Sequence, residues 1–428
     1  MSNVLDFIIN QVLRELSFFL GLIVIIGCII LKNDARSILV SALKTIVGVR
    51  ILQIGTTVLV EATRPMMAML VARFNLQGRV ADGWIAVGEI FERMDPFLVG
   101  NVGLVMIAAW FLHLLFARFS SIKVIFLTMH VAFIDTVLIV WSVSVSTSLT
   151  GWYVLGLSTW LLAMYWWLGP KIMHPYLKTM VREEPVSLGH QMMIGGTLAA
   201  WLAKVGDVNH SAEDIDLPGW LRIMDDPVIA YAVVMVSIYT FIGLAAGPDV
   251  GTKFSEGKQY LLFSFMQGIN VAMGIFVLVQ GVKMFMAELV PAFKGFASKM
   301  VPGAMAGMDI PVFLVYAPRA ALLGFLSTTL GSSIGILLQV LLRSDYVTVP
   351  SVFPLFFGGS ILGVIANAHG GWKGTIFATL VLGLVLIIGG AWFAQVVDFQ
   401  IAAGGHLDYA LIWPAIFSLG KRIFSGIP

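Results

Sequence analysis

The sequence predicts an all-α integral membrane protein, and three observations predict it. Its 428 residues are 59% hydrophobic and only 12% charged, with a mean hydropathy of +0.93. Soluble domains are about 45–50% apolar and about 25% charged. Apolar stretches near the ~20 residues that a spanning helix needs recur along the whole chain. The short alternating segments of a transmembrane barrel are absent.

Met1–Arg14 is amphipathic and lacks both a basic leader and a small-residue cleavage site. It reads as an interfacial helix rather than a removable signal. Full-length spans are expected at Leu16–Leu31, Ser37–Val60, Pro96–Phe116, Ile122–Val145 and Thr150–Leu168. The fifth is flanked by Trp152-Tyr153 and Tyr165-Trp166-Trp167, an aromatic belt at each interface. Further spans are expected at Pro227–Leu244, Tyr260–Leu289, Arg319–Leu342 and Ile376–Val397, with a last one, Leu407–Ile423, interrupted by Pro414.

Three apolar pieces, Trp84–Phe91, Met192–Val205 and Leu355–Ala366, are near the length of re-entrant segments, about 10–14 residues. Each adjoins glycines and polar residues: Gly88-Glu89, Gly189-His190-Gln191 and Asn367-Ala368-His369-Gly370-Gly371. Irregular backbone at membrane depth survives only where protein or a watery cavity satisfies it. These tips therefore point to a substrate path.

An internal repeat organises the chain, with one copy over about residues 37–147 and the other over about 260–372. "ILQIGTTVLVEATRPMMAML" resembles "VLVQGVKMFMAELVPAFKGF", and each is followed by a glycine-bearing loop, then Met94-Asp95-Pro96 or Met308-Asp309-Ile310-Pro311. If Met192–Val205 does not cross, an odd number of spans separates the two aspartates and the second copy is inverted. Inverted repeats with broken helices and a midplane site mark secondary-transporter architecture. Lys32, Arg36 and Lys44 place the first loop on the cytoplasmic side.

A net charge of +2 says nothing about nucleic acid, and with no basic run of the kind that binds it, no nucleic-acid partner is expected. The single cysteine, Cys28, excludes a disulfide framework and a cysteine metal site. No metal motif, phosphate-binding loop or nucleotide fingerprint occurs, so no cofactor and no ATP hydrolysis are expected.

The polar residues within apolar surroundings are the candidates for function. Asp95 and Asp309, each just before a proline-initiated helix, fit helix N-caps. Asp309 has no other charge from Val301 to Val315, and ionisable groups at depth are by default functional. For Asp95, Arg93 is an available partner. His130 falls inside an expected span, and Asp135 either faces the same cavity or pairs across helices. His190, Gln191, Asn367 and His369 either satisfy loose backbone ends or offer neutral donors and acceptors to a polyhydroxylated ligand. Trp84 is either a platform for a sugar-like ring or an interface anchor. The acidic run His210–Trp220 reads as a solvated loop, or as a docking surface for a soluble partner.

"KTIVGVRILQIG", "LTMH", "SLGHQ", "DLPGWL", "QGVKMFMAEL", "PGAMAGMD" and "ANAHGGW" stand in this order from Lys44 to Trp372. Together they resemble the ascorbate-specific membrane component (IIC) of the bacterial phosphoenolpyruvate-dependent phosphotransferase system. The resemblance implies a homodimer of eleven-span protomers in the inner membrane, each with a core domain and a V-shaped domain. It also implies that the whole chain is one IIC domain without fused IIA or IIB, and that separate IIB and IIA proteins phosphorylate the incoming sugar-like substrate. It assigns ligand binding to His130, to His190 and Gln191 of the Gly-His-Gln tip, and to Asp309. Ile134 stands where the family has a binding glutamine, and Trp84 where it has a tyrosine. His369 is one place removed from the family's histidine. The ligand is thus ascorbate or a related sugar acid or pentitol. An ion-coupled secondary transporter using Asp95, His130, Asp135 and Asp309 is the second reading, and a passive channel or receptor the third.

Overall fold

The computed structural model describes residues 16–74, 78–181, 184–215, 226–342, 344 and 347–424. The expected interfacial helix Met1–Arg14 lies outside these, as do residues 216–220 of the acidic run. Helix α1 (Leu16–Ile30) is followed by the 40-residue α2 (Ala35–Phe74). Asp34 opens α2 by accepting hydrogen bonds from the Ser37 N–H and hydroxyl. At about 1.5 Å per residue, α2 runs for about 60 Å, twice the thickness of a hydrocarbon core. It continues past the expected end at Val60 and through Pro65.

Strand β1 (Gly78–Ala81), α3 (Gly83–Arg93), α4 (Pro96–Phe119), β2 (Val124–Phe126) and α5 (Met129–Ser146) come next. They lead into α6 (Trp152–Val181), β3 (Val186–Leu188) and the ten-residue α7 (Met193–Leu202). Helix α8 (Pro227–Phe254), kinked at Gly247, connects to the 41-residue α9 (Tyr260–Met300). Then follow β4 (Met305–Met308), α10 (Pro311–Leu314), α11 (Pro318–Leu341), β5 (Val347–Pro350) and α12 (Val352–Val396). The described chain ends with β6 (Ala402–Ala403), α13 (Leu407–Leu411) and α14 (Trp413–Phe424). Seven of the described helices are long and apolar enough to cross a membrane.

The order of elements after α2 recurs after α9. Pro65 and Pro291 each stand nine residues before their helix ends. A four-residue strand and a short helix follow each, and then a 24-residue helix begins at a proline. Helices α2 and α9 pack antiparallel through glycines, Gly48 against Gly281 and Gly55 against Gly274. A Cβ on Gly281 would stand 2.4 Å from the Leu52 nitrogen, so the backbones touch.

The strands form two three-stranded sheets, both parallel: β5-β1-β6 and β2-β4-β3. In each, the first strand of one half lies between the second and third strands of the other. Buried edge strands need partners for their free peptide groups. Helix α4 serves β2, since His113 Nε2 accepts from the Phe126 N–H and Trp110 Nε1 donates to the Phe126 carbonyl. Glu89 of α3 accepts from the N–H groups of Gln400, Ile401 and Ala402.

Four expectations are corrected. The span Ile122–Val145 begins instead as β2, because Val124-Ile125-Phe126 pairs with β4 and the helix starts only at Met129. The fifth span continues through Pro170 and Pro175 to Val181. Leu355–Ala366 is part of the long α12, which breaks at Gly370-Gly371. Gly371 has φ +58°, and a Cβ there would meet the His210 carbonyl at 2.2 Å. The last span is two short helices, with Pro414 in the first turn of the second. Asp95 is the N-cap of α4 as expected, accepting from the Phe97 N–H at 2.8 Å. Arg93 turns away from it, to Glu89 and Asp398.

Candidate functional site

Three parallel strands run side by side in the second sheet, so the residues just beyond their carboxyl ends fall together. Beyond β2, the chain turns at Leu127-Thr128 into α5, which puts His130 in the helix's first turn. Past β4 comes Asp309, and past β3 come Gly189, His190 and Gln191. The Leu127 N–H donates to the Gly307 carbonyl and the Gly189 N–H to that of Met308, so pairing persists to the site's edge. Gly189 is required by this contact: a Cβ on it would meet the Gly307 carbonyl at 2.8 Å.

His130 Nε2 stands 3.4 Å from Asp309 Oδ2, and His190 Nε2 stands 3.7 Å from Asp309 Oδ1. Asp309 Oδ1 also accepts from the Ile310 N–H at 2.7 Å. Side-chain exposure grades from 32% at His130 through 18% at Asp309 to 7% at His190, so the cluster opens on the side of the first two. Beside them is a cavity of about 20 Å³, walled by Leu20, Val49, Leu52 and Phe285. That space fits about one water molecule. A sugar-sized ligand requires these walls on α1, α2 and α9 to withdraw.

The first sheet closes on the same place. Gly405, with φ +82°, brings the end of β6 against the Asp82-Gly83 turn after β1. His406 then meets His190, ring centroids 4.8 Å apart and planes at 71°. Trp84 lies in the first turn of α3; its side chain is outside the described residues. Ile134 packs on Gly83, its Cγ2 3.0 Å from where a Cβ would stand, and so lines this junction with methyl groups.

Behind the tip are two fully buried carboxylates. Asp135 accepts from Gln191 Nε2, Trp166 Nε1 and the Tyr409 hydroxyl. Asp408 accepts from the Tyr165 hydroxyl and from the N–H groups of Met193, Ile194 and Gly195, the start of α7. Negative charge is favourable at that helix end.

Thus His130, His190, Gln191 and Asp309 come together, with Asp135 one bond behind Gln191. Asn367 and His369 are engaged elsewhere. Asn367 accepts from the Ala212 N–H and donates to the Ser211 hydroxyl, while His369 Nε2 bonds the Tyr176 carbonyl. Asn367 also lines a separate open cavity of about 810 Å³ with Glu184, Glu213 and Tyr316. There the Tyr316 hydroxyl donates to Glu184, and burial pushes its phenol pKa up. His406, Asp408 and Tyr409 were not among the sequence candidates. A signal did exist, since Gly405-His406 repeats the dipeptide Gly189-His190. Among the described residues no cluster of His, Cys, Asp and Glu has the geometry to hold a metal ion.

Residues 11–412 match the EIIC-GAT family, described as the PTS system sugar-specific permease component. The chain is also 24% identical to the ascorbate-specific PTS system EIIC component of Mycoplasma pneumoniae, in an alignment covering 94% of this chain and 68% of that protein. That family is a multi-pass membrane component, in keeping with the seven apolar helices. The chain belongs to the sugar-specific permease (EIIC) family of the phosphotransferase system.

Proposed function

We propose that this permease binds and translocates ascorbate, or a closely related sugar acid, through the site formed by His130, His190, Gln191 and Asp309, and that separate IIB and IIA proteins phosphorylate it on the cytoplasmic side. The observation that carries this reading is the convergence of these side chains beyond one parallel sheet, with polar atoms left for a ligand. His130 Nδ1, His190 Nδ1, Gln191 Oε1 and His406 Nδ1 are buried and unpartnered among the described residues. Buried polar groups without partners are rare in folded proteins. Imidazoles and an amide match hydroxyls in both senses, and hydroxyls donate strongly to a carboxylate such as Asp309. The enediol of ascorbate is an anion at neutral pH, and the imidazoles are its donors.

In this reading the chain itself moves no phosphoryl group. Translocation delivers the ligand to phosphorylated IIB, and the added negative charge of the product prevents its return through the site. The two halves are inverted copies, as the antiparallel α2 and α9 and the reciprocal strand exchange suggest. The protomer has about eleven spans, with α3 and α7 as re-entrant segments. The sheets and their helices form the core domain, and the long helices the V-shaped domain of a homodimer. Asn367 and His369 line the path away from the ligand.

Labelled ascorbate offered to vesicles containing the permease tests this. Accumulation of a phosphorylated product, dependent on phosphoenolpyruvate and the soluble partners, is expected. Accumulation of unmodified substrate driven by an ion gradient, or mere equilibration, overturns the proposal.

A further inference from the structure

Asp135 is fully buried on α5, and no basic side chain is bonded to it among the described residues. Its oxygens take hydrogen bonds from Trp166 Nε1 at 2.9 Å, Gln191 Nε2 at 2.9 Å and the Tyr409 hydroxyl at 2.7 Å. An indole N–H can only donate, and a carboxylate only accepts. Asp135 therefore decides which end of the Gln191 amide faces it. The NH2 group must turn inward, and Oε1 becomes the end left over. That oxygen is buried and has no hydrogen-bond partner.

The backbone at this point leaves little else free. Asp408 holds the N–H groups of Met193, Ile194 and Gly195, and its own N–H donates to the Gln191 carbonyl at 3.2 Å. With the main chain held and Nε2 bonded to Asp135, a half-turn of the Gln191 amide would exchange a donor for an acceptor. A buried carbonyl without a partner costs about 1–3 kcal/mol. A fold that fixes the amide in that sense stores an acceptor for something that enters later.

We propose that Asp135 is a positioning residue that locks Gln191 with Oε1 as acceptor, so that the site selects ligands offering a hydroxyl donor there. Asp135 does not itself touch the ligand. This rests on the reading that Gln191 contacts the transported solute. A site built around a hydroxyl rejects analogues lacking it far more strongly than an apolar pocket rejects an extra methylene.

The test uses the full chain with Asp135→Asn, and its first readout needs no ligand. The side-chain amide protons of Gln191, identified by their loss in Gln191→Ala, are expected to exchange slowly with solvent and to be shifted by the carboxylate. In Asp135→Asn both features should disappear; an unchanged resonance overturns the proposal. If that variant does not fold, the wild type still decides, because rapid exchange of the Gln191 amide overturns the proposal equally. The second readout is ascorbate affinity. Asp135→Asn is expected to weaken it about tenfold, with no further loss on adding Gln191→Ala. Tyr409→Phe, which leaves the Asp135–Gln191 bond in place, should change affinity less than about twofold. Fully additive losses, or an equal loss in Tyr409→Phe, overturn positioning in favour of a general packing role. Failure of the wild type to bind any sugar acid would instead refute the transport reading and leave the amide measurement standing.

Discussion

His190 and His406 stand ring to ring, their centroids 4.8 Å apart, although they belong to opposite halves of the chain. Each follows a glycine just beyond the third strand of its half, His190 after β3 and His406 after β6. The reciprocal sheets bring these equivalent positions face to face. The result is a paired imidazole wall, with Asp309 3.7 Å from the His190 side.

His406 is therefore expected to belong to the ligand site although nothing in its local sequence marks it beyond one glycine. His406→Ala should weaken ascorbate binding about tenfold, the equivalent of one good hydrogen bond. Lys421→Ala, an exposed change on α14, should leave it unaltered. Titration calorimetry on both variants makes the comparison; equal affinities would remove His406 from the site.

How much of this was legible follows physical lines. Spans declare themselves by hydropathy, because desolvating a long apolar helix needs no long-range information. Asp309 was legible as a carboxylate alone among apolar residues, and His130 and His190 through the family's motifs. The three- and four-residue strands were not, because such runs are too short to show a period, and β2 was absorbed into an expected span. His130 was accordingly read mid-helix when it lies in a first turn. Tyr165 and Trp166 were read as an interface belt although they are buried against Asp408 and Asp135. Asp408 and Tyr409 were not read at all, because their partners lie far away in sequence and only the assembled fold introduces them.

Asp309 and His130 form the most exposed edge of the site. Asp309→Asn keeps the shape but removes the charge that strengthens hydrogen bonds from hydroxyls, and His130→Ala removes a donor. Each should weaken ascorbate binding roughly ten- to a hundredfold, since hydrogen bonds to charged groups contribute about 1.5–3 kcal/mol. Unchanged affinity in both variants would sink the assignment of the site.

Glu213 gives a prediction in pH. Its carboxylate accepts from the Ala320 N–H at the start of α11, and burial raises its pKa above 4.5. Between 4.5 and the raised value, the folded protein holds a proton that the unfolded chain has released. Stability from this group therefore falls as pH rises through that window. Glu213→Gln should flatten the dependence of the melting temperature on pH above 4.5, relative to wild type. Parallel curves for the two proteins would show that the buried carboxyl does not contribute.

The glycine contacts between α2 and α9 separate close packing from helix propensity. Alanine is the better helix former by about 1 kcal/mol, so an exposed helical glycine gains stability on replacement. Gly100 on α4 has nothing within 4 Å of an added Cβ, and Gly100→Ala should raise the melting temperature slightly. At Gly281 the same methyl would lie 2.4 Å from the Leu52 nitrogen and 2.6 Å from the Gly48 carbonyl oxygen. These are backbone atoms, which cannot rotate aside as a side chain would. The two long helices must separate, at a cost of about 1–3 kcal/mol for overpacking, which outweighs the gain in propensity. Gly281→Ala should therefore lower the melting temperature in detergent while Gly100→Ala does not. If the two substitutions shift it in the same upward direction, the helices do not cross with their backbones in contact.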